Sequence, residues 1–411
     1  MIHLKAFKPV ENEIVLTLTG SKSETNRLLI LQALWPEIRL NNLAQCDDAA
    51  VMIEALKKTH GEVSVGHAGT AMRFLTAYFA STPESSVVLT GSPRMLERPI
   101  GILVDALRSL GAEINYLRHE GFPPLAIKGV ALAGGEITMS GSVSSQYLTA
   151  LMLVATRFKN GLTIRIKDGL TSLPYVTMTR SLLQSLGVDA LVSDEKIQVT
   201  GALQKHGQLL SVESDWSGAS YWYSMVALTP EMSLKLRYLN QDSRQGDSAI
   251  ADLFQRLGVM TEFDVEQQSV LIRATNQPLP DYVSWDLSDT PDIAQTIAVC
   301  CFALGVRCHL SGLHTLKIKE TDRIEALTVE LSKLGAMVVC NEYSISIEAR
   351  KEPIKPNISI KTYNDHRMAM AFAPLVSRVP IYIEDHGVVS KSYPNFWKDM
   401  TDLGLEYSLG N

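Results

Sequence analysis

Five stretches of this 411-residue chain place a cation, a hydroxyl or an amide at the start of an apolar-periodic run. They are GSKSETNRLLILQAL (20–34), with Lys22, Ser23 and Arg27; HAGTAMRFLTAYFA (67–80), with Gly69 and Arg73; SVSSQYLTALMLVA (142–155), with Ser144, Ser145 and Gln146; TSLPYVTMTRSLL (171–183), with Ser172 and Tyr175; and YNDHRMAMAF (363–372), with Asp365 and Arg367. The apolar period predicts helices, so the polar stretches are helix N-termini, with Ser23 and Asp365 as expected caps. Free backbone N–H groups and the positive end of the helix dipole make such termini anion sites. Lys22, Arg27, Arg73, Arg323 and Arg367 lie at or near helix starts, and Arg94 and Lys391 lie on separate loops. Arginine grips phosphate and carboxylate bidentately and lysine adds a mobile point charge, so the set points to an anionic ligand. GSKS lacks the GxxxxGK spacing of a Walker loop, which argues against a nucleoside triphosphatase.

Two acidic segments could move protons. In IKETDRIEALTVELSKLGA (318–336), Lys319, Glu320 and Arg323 crowd the start of a helix that Asp322 can cap, with Glu325 completing a capping-box pattern. In LSDTPDIAQTIAVCCFALGV (287–306), Asp292 follows Pro291 at the head of a strongly apolar helix. Each carboxylate has a plain alternative: Asp292 as an ordinary N-cap, and Glu320 as half of a surface ion pair with Lys319 or Arg323.

These residues need a scaffold. With 46% hydrophobic and 20% charged residues, the chain can bury large cores and is too long for one typical domain. A formal net charge of −6 argues against a general nucleic-acid binder, so any anion site must be local. Cys46, Cys300, Cys301, Cys308 and Cys340 lack CxxC spacing and flanking His pairs, and read as reduced core thiols. The first twenty residues contain Glu11 and Glu13 and no apolar h-region, and no apolar run reaches about 18 residues. A cytoplasmic protein without membrane partners is the expectation.

One pattern recurs: a helix ending Leu-Gly, then a strand. It appears in LRSLGAEINY, LLQSLGVDALV, LFQRLGVMTEF, LSKLGAMVVC and MTDLGLEYSL, with Gly111, Gly187, Gly258, Gly335 and Gly404 at intervals of roughly 70 residues. Each glycine suits the left-handed position just past a helix. ALKKTHGEVSV adds a weaker first member with Gly61. Six helix-and-strand units predict an α/β fold of two similar three-unit domains, with the ligand in the cleft between them. A polar stretch, SVESDWSGAS, suits one crossover and Gly20 another, giving domains of residues 1–19 with 214–411 and of residues 20–213.

GSKSETNR, AGTAMR, PRMLERP, SSQYLTALM, PDIAQTIA, KETDRI, NDHRMAM and SKSYPNFW, in this order and across nearly the whole chain, resemble the signature series of the EPSP synthase family. The resemblance implies an inverse α/β-barrel-like fold and transfer of the enolpyruvyl group of phosphoenolpyruvate to the 5-hydroxyl of shikimate 3-phosphate. It implies that Lys22, Ser23, Arg27, Ser144, Ser145, Gln146, Ser172, Asp292, Thr315 and Lys319 hold shikimate 3-phosphate, joined by Tyr175. Lys22, Gly69, Arg94, Gln146, Arg323, Arg367 and Lys391 would hold phosphoenolpyruvate. Asp292 would be the base on the 5-hydroxyl and Glu320 the proton donor to the methylene carbon, with Lys22 assisting. No metal or organic cofactor is implied, and the enzyme is expected to be a monomer. Four positions depart from the family's pattern: His67 for asparagine, Phe74 for proline, Leu173 for lysine and Thr315 for asparagine. The sister family acting on UDP-N-acetylglucosamine carries a cysteine in the loop occupied here by GSPRMLERP, which has none. A non-catalytic phosphoglycan or RNA-end binding module on the same repeat is the other reading, and Asp292 and Glu320 argue against it. Glyphosate competes with phosphoenolpyruvate in this family; Gly69 implies space for it and Phe74 complicates that expectation.

Overall fold

The computed structural model describes residues 1–410 apart from 11–13, 142–143, 171–172, 206 and 231. The chain divides into two compact units, a split unit of Met1–Thr19 with Glu213–Asn411 and a continuous unit of Gly20–Val212. Each has its own hydrophobic core. Glu213, assigned by the sequence to the continuous domain, belongs to the split unit. Its carboxylate accepts from Trp216 Nε1 (2.8 Å), Asn240 N (2.8 Å), Ser243 Oγ (2.6 Å) and Gln245 Nε2 (3.1 Å), all within that unit.

The helices in chain order are α1 (Lys22–Leu34), α2 (Asp47–Leu56), α3 (Gly69–Ala80), α4 (Pro93–Leu96), α5 (Gly101–Ser109), α6 (Ser145–Ala155), α7 (Leu173–Ser185), α8 (Trp216–Leu228), α9 (Ile250–Gln255), α10 (Ala294–Leu304), α11 (Arg323–Lys333), α12 (His366–Phe372) and α13 (Phe396–Asp402). One unit shows the repeat. Strand Tyr282–Asp286 leads to α10 and then to strand Arg307–Ser311, which lies parallel to the first. Next comes α11, and the hairpin Val338–Cys340 and Ile345–Ile347 completes a four-stranded sheet in the order first, second, fourth, third. The same order recurs around α3 and α5, α6 and α7, α8 and α9, and α12 and α13, where Ile2–Phe7 serves as the fourth strand.

The sixth unit is cut short. Helices α1 and α2 flank strand Arg39–Asn41, which pairs only with Leu209–Ser211 among the described residues. The crossover strands are exchanged: Ile14–Thr17 leads into α1 but pairs with Ser233–Arg237, while Leu209–Ser211 leads toward α8 but pairs with Arg39–Asn41. This truncation corrects the reading of Gly61. It lies inside strand His60–Ser64, five residues beyond Leu56, the last residue of α2, so although its φ is +83° it is not at a helix end. The other five glycines have φ between +79° and +111°. After α5 the amide of Ala112 bonds Leu107 O (3.0 Å) and that of Gly111 bonds Arg108 O (2.9 Å), the two bonds of a Schellman motif.

In each repeat the first helix is apolar nearly all round and therefore interior. Every residue of α10 except Leu304 is buried, as is most of α3, α6 and α8. Helices α1, α3 and α6 pack on one another in the continuous unit, as do α8, α10 and α12 in the split unit. Four of the five polar stretches picked out in the sequence belong to the interior helices α1, α3, α6 and α12, and the fifth belongs to α7, the second helix of its repeat. Cys46, Cys300, Cys301 and Cys308 are buried free thiols, and burial pushes Cys300 up to about 12. Cys340 is the exception to the core reading: it is exposed, on an edge strand.

Candidate active site

The split unit gathers its acidic and basic residues around Arg323, the first residue of α11 and only 2% exposed. Its guanidinium donates to three carboxylates: Asp292 Oδ1 (2.9 Å), Glu320 Oε2 (2.9 Å) and Asp365 Oδ2 (2.7 Å). Asp292 also accepts from Arg367 Nη2 (3.0 Å) and lies 3.6 Å from Lys319 Nζ. Glu320 also accepts from Lys391 Nζ (2.6 Å). Burial alone would depress Arg323, but Asp365, Glu320 and Asp292 together raise it above the ordinary guanidinium range. Burial, with Arg323 and Arg367 nearby, holds Lys319 below the usual ammonium range against the pull of Asp292.

The two plain alternatives are thereby decided. Asp292 lies in the 3₁₀ turn Pro291–Ile293 ahead of α10, and neither that turn nor α10 has a side-chain cap bond. Its carboxylate serves the ion network instead. Glu320 is paired with Arg323, yet its side chain is only 14% exposed, so the pair is not a surface one. Asp365 caps α12 through Arg367 N (2.9 Å), and Asp322 caps α11 through Glu325 N (3.1 Å). Thr315, in the turn His314–Ile318, has a buried hydroxyl with no partner among the described residues.

Sequence reasoning missed Asp247 and Ser217. Ser217 Oγ donates to the Asp247 carboxylate and accepts from Arg367 Nη2 (3.3 Å). Burial, then the charge of Asp292, pushes Asp247 up to about 7 against the opposing effect of Arg367. Its Oδ1 is buried with no hydrogen-bond partner among the described residues. Gly246-Asp247 before a short helix reads as one more cap, so the sequence carried no signal for it. Four cations (Lys319, Arg323, Arg367, Lys391) thus pair with three carboxylates (Asp292, Glu320, Asp365), with Asp247 joined through Ser217, and this pairing lets the cluster stay buried.

The continuous unit brings the other residues together at the starts of α1, α3, α6 and α7. Ser21, not Ser23, caps α1, its hydroxyl accepting from Glu24 N (3.4 Å); Ser23 lies inside the first turn. Lys22 Nζ is 3.5 Å from Asp48. Arg27 is buried and donates to Thr179 Oγ1 (2.9 Å), Ser23 O (2.7 Å), Thr149 Oγ1 (3.4 Å) and Tyr175 O (3.1 Å). Burial lowers it to about 10. With four bonds to protein from five N–H groups, it ties α1 to α6 and α7. Ser144 caps α6 through Gln146 N (3.3 Å), Ser145 is buried behind it, and Gln146 Nε2 reaches Thr70 Oγ1 on α3 (3.3 Å). Ser172 lies outside the described residues.

Two findings bear on the Gly69 loop. Arg73 bonds Gly69 O (3.2 Å) and Pro99 O (2.9 Å), tying the α3 start to the 91–99 loop. The space expected beside Gly69 is filled: a Cβ there would lie 2.4 Å from Nη1 of Arg98, a residue the sequence reading passed over. Arg94 is exposed and paired with Glu97 at 3.0 Å. Phe74 is buried, with the Arg27 guanidinium 5.7 Å from its ring centroid. Among the described residues no group of three or more acidic, His or Cys side chains could hold a metal, and no helix is long and apolar enough to cross a membrane.

Known proteins resemble this chain in sequence and in fold. Residues 58–400 match the family model for EPSP synthase (3-phosphoshikimate 1-carboxyvinyltransferase). A 3-phosphoshikimate 1-carboxyvinyltransferase of Bacteroides fragilis is 44% identical over 405 residues, covering 98% of both chains. One from Shewanella denitrificans is 37% identical over 438 residues, covering 98% of this chain and 99% of its own. Among solved structures, an EPSP synthase from Acinetobacter baumannii superposes with a TM-score of 0.79 over all of both chains at 20% identity, a likeness of fold alone. With a family model spanning most of the sequence and full-length relatives well above 30% identity, this chain belongs to the EPSP synthase family.

Proposed function

We infer that this protein transfers the enolpyruvyl group of phosphoenolpyruvate to the 5-hydroxyl of shikimate 3-phosphate, releasing phosphate, in the pathway to chorismate and the aromatic amino acids. The observation that carries the reading is the sharing of Arg323 between Asp292 and Glu320, each of which also holds further cations. A carboxylate surrounded by cations is a poor base and a poor acid until a competing anion draws those cations away. Phosphoenolpyruvate is such an anion. Its phosphate and carboxylate would engage Arg323, Arg367 and Lys391 from the split unit and Lys22, Gly69 N–H, Gln146 and Arg94 from the continuous unit, Arg94 leaving Glu97. Glu320 then takes up a proton and passes it to C3, cationic character develops at C2, and the 5-hydroxyl attacks C2 as Asp292 accepts its proton. The tetrahedral adduct expels phosphate, and C3 returns its proton to Glu320. Cations pre-arranged around the leaving phosphate supply the charge stabilisation, so the scheme uses no metal or organic cofactor.

Shikimate 3-phosphate would place its phosphate on Ser144, Ser145 and Ser172 and its ring near Lys22, Ser23, Gln146, Asp292, Thr315 and Lys319. Arg27, with four of its five N–H groups bonded to the protein, fixes Ser23 and Tyr175 and keeps one donor for shikimate 3-phosphate. We place the enzyme in the cytoplasm as a monomer. Phosphate release should require both substrates together. Release from phosphoenolpyruvate alone, or none with both, would overturn the reading.

A further inference from the structure

Helix α11 carries two buried ionic groups on one face. Arg323 opens the helix and Glu330 follows seven residues later, two turns along, at 0% exposure. The reaction proposed above uses Arg323 and has no role for Glu330. Yet Glu330 is fully engaged: it accepts from Tyr363 OH (2.7 Å), Lys361 N (3.2 Å) and Lys333 Nζ (2.6 Å). Arg323, at the other end of that face, holds Asp365. A single helix face therefore ties the segment 361–365 at both ends.

Between the ties the backbone is strained. Tyr363 and Asn364 both have φ of +55°, and Asp365 N bonds Thr362 O at 2.9 Å, the pattern of a type I′ turn. Such a turn wants Asn, Asp or Gly at both central positions. Asn364 suits its place, whereas a bulky aromatic at 363 is a true outlier. What offsets the strain is the Tyr363 hydroxyl on Glu330, with the Lys361 ammonium 5.0 Å from the Tyr363 ring centroid. The turn delivers Asp365, which caps α12 through the amide of Arg367 and receives Arg323. Both arginines of the split unit's anion set depend on where this turn ends.

We propose that Glu330 and Tyr363 are positioning residues that hold a strained turn in the one conformation presenting Arg323 and Arg367 to the anionic donor. The proposal rests on the enolpyruvyl-transfer reading for its kinetic test. Tyr363→Phe keeps the misfit aromatic and removes its tie. It should raise KM for phosphoenolpyruvate roughly fivefold to tenfold, leaving kcat within about twofold and KM for shikimate 3-phosphate unchanged. Tyr363→Asn removes tie and misfit together, since Asn adopts the left-handed region readily, and should keep KM within about twofold of wild type. The larger change in side chain thus has the smaller effect. A role in stability alone would lower the melting temperature of both variants and leave both KM values at the wild-type level. That result, or Tyr363→Asn at least as impaired as Tyr363→Phe, overturns the proposal. Amide exchange at Asp365 and Arg367 in the ligand-free protein, expected at least fivefold faster in Tyr363→Phe and near wild type in Tyr363→Asn, reads the turn without the reaction. Unaltered exchange in Tyr363→Phe sinks the clamp, whereas absent turnover in the wild type with altered exchange sinks only the reaction assignment.

Discussion

At the scale of single residues, the site is a set of groups whose ordinary roles have been taken from them. Asp292 stands where a helix cap would stand and caps nothing. Asp292→Asn keeps size and hydrogen bonding while removing the base. It should leave both KM values within a few fold and lower kcat by about a hundredfold or more, as read by steady-state phosphate release. Turnover at the wild-type rate would reduce Asp292 to a member of the ion network. Asp247 yields a prediction in pH. Burial, then Asp292, raises it to about 7 in the folded protein, against about 4 for an unfolded aspartate. The folded state therefore binds a proton that the unfolded state has released. This contribution is fully present below about pH 4 and is lost as pH rises through about 7. The melting temperature of wild type minus that of Asp247→Asn should fall across that window, and a flat difference would mean that Asp247 is ionised throughout.

At the scale of elements, the interior helices explain why the chemistry clusters. Each follows a strand and enters the core at once, so its polar first turn is the last place to hold a charged group before burial. The start of α3 shows how narrow the tolerance is. Gly69 lies under the Arg98 guanidinium, and an added Cβ at 2.4 Å from Nη1 must push that side chain aside. Gly69→Ala is expected to raise the inhibition constant for glyphosate much more than KM for phosphoenolpyruvate, because the longer inhibitor needs more of the space that the methyl and the displaced arginine then share. Inhibition assays against both ligands check this. If the wild type is already tolerant and Phe74→Pro restores inhibition, the placement of α3 sets the site and the glycine argument fails.

At the scale of the whole molecule, two units with separate cores are expected to unfold in more than one transition, which calorimetry resolves. Shikimate 3-phosphate should raise both transitions, since the residues proposed to hold it come from both units. A shift in one transition alone would assign the ligand to that unit. Much of this organisation was legible in the residue order alone. Leu-Gly helix ends marked five of the repeats, since left-handed backbone past a helix restricts the residue type locally. The order of motifs carried the family, and the pairing of polar starts with apolar runs marked the helix N-termini. It misread the sixth repeat, because the exchange of Ile14–Thr17 and Leu209–Ser211 between repeats joins strands that are 170 residues apart (Arg39 with Leu209) and 220 apart (Ile14 with Leu234), which no local pattern records. It could not separate Ser21 from Ser23 as the cap, nor foresee Arg98 against Gly69, because such details turn on one side chain's direction. Above all, the sharing of one guanidinium by Asp292, Glu320 and Asp365, with Asp247 joined to them through Ser217 and Arg367, is a product of packing. Ion pairing in a buried site is set by which helix starts the packing brings together: those of α10 and α11 belong to one repeat, whereas Asp365 and Asp247 come from two others.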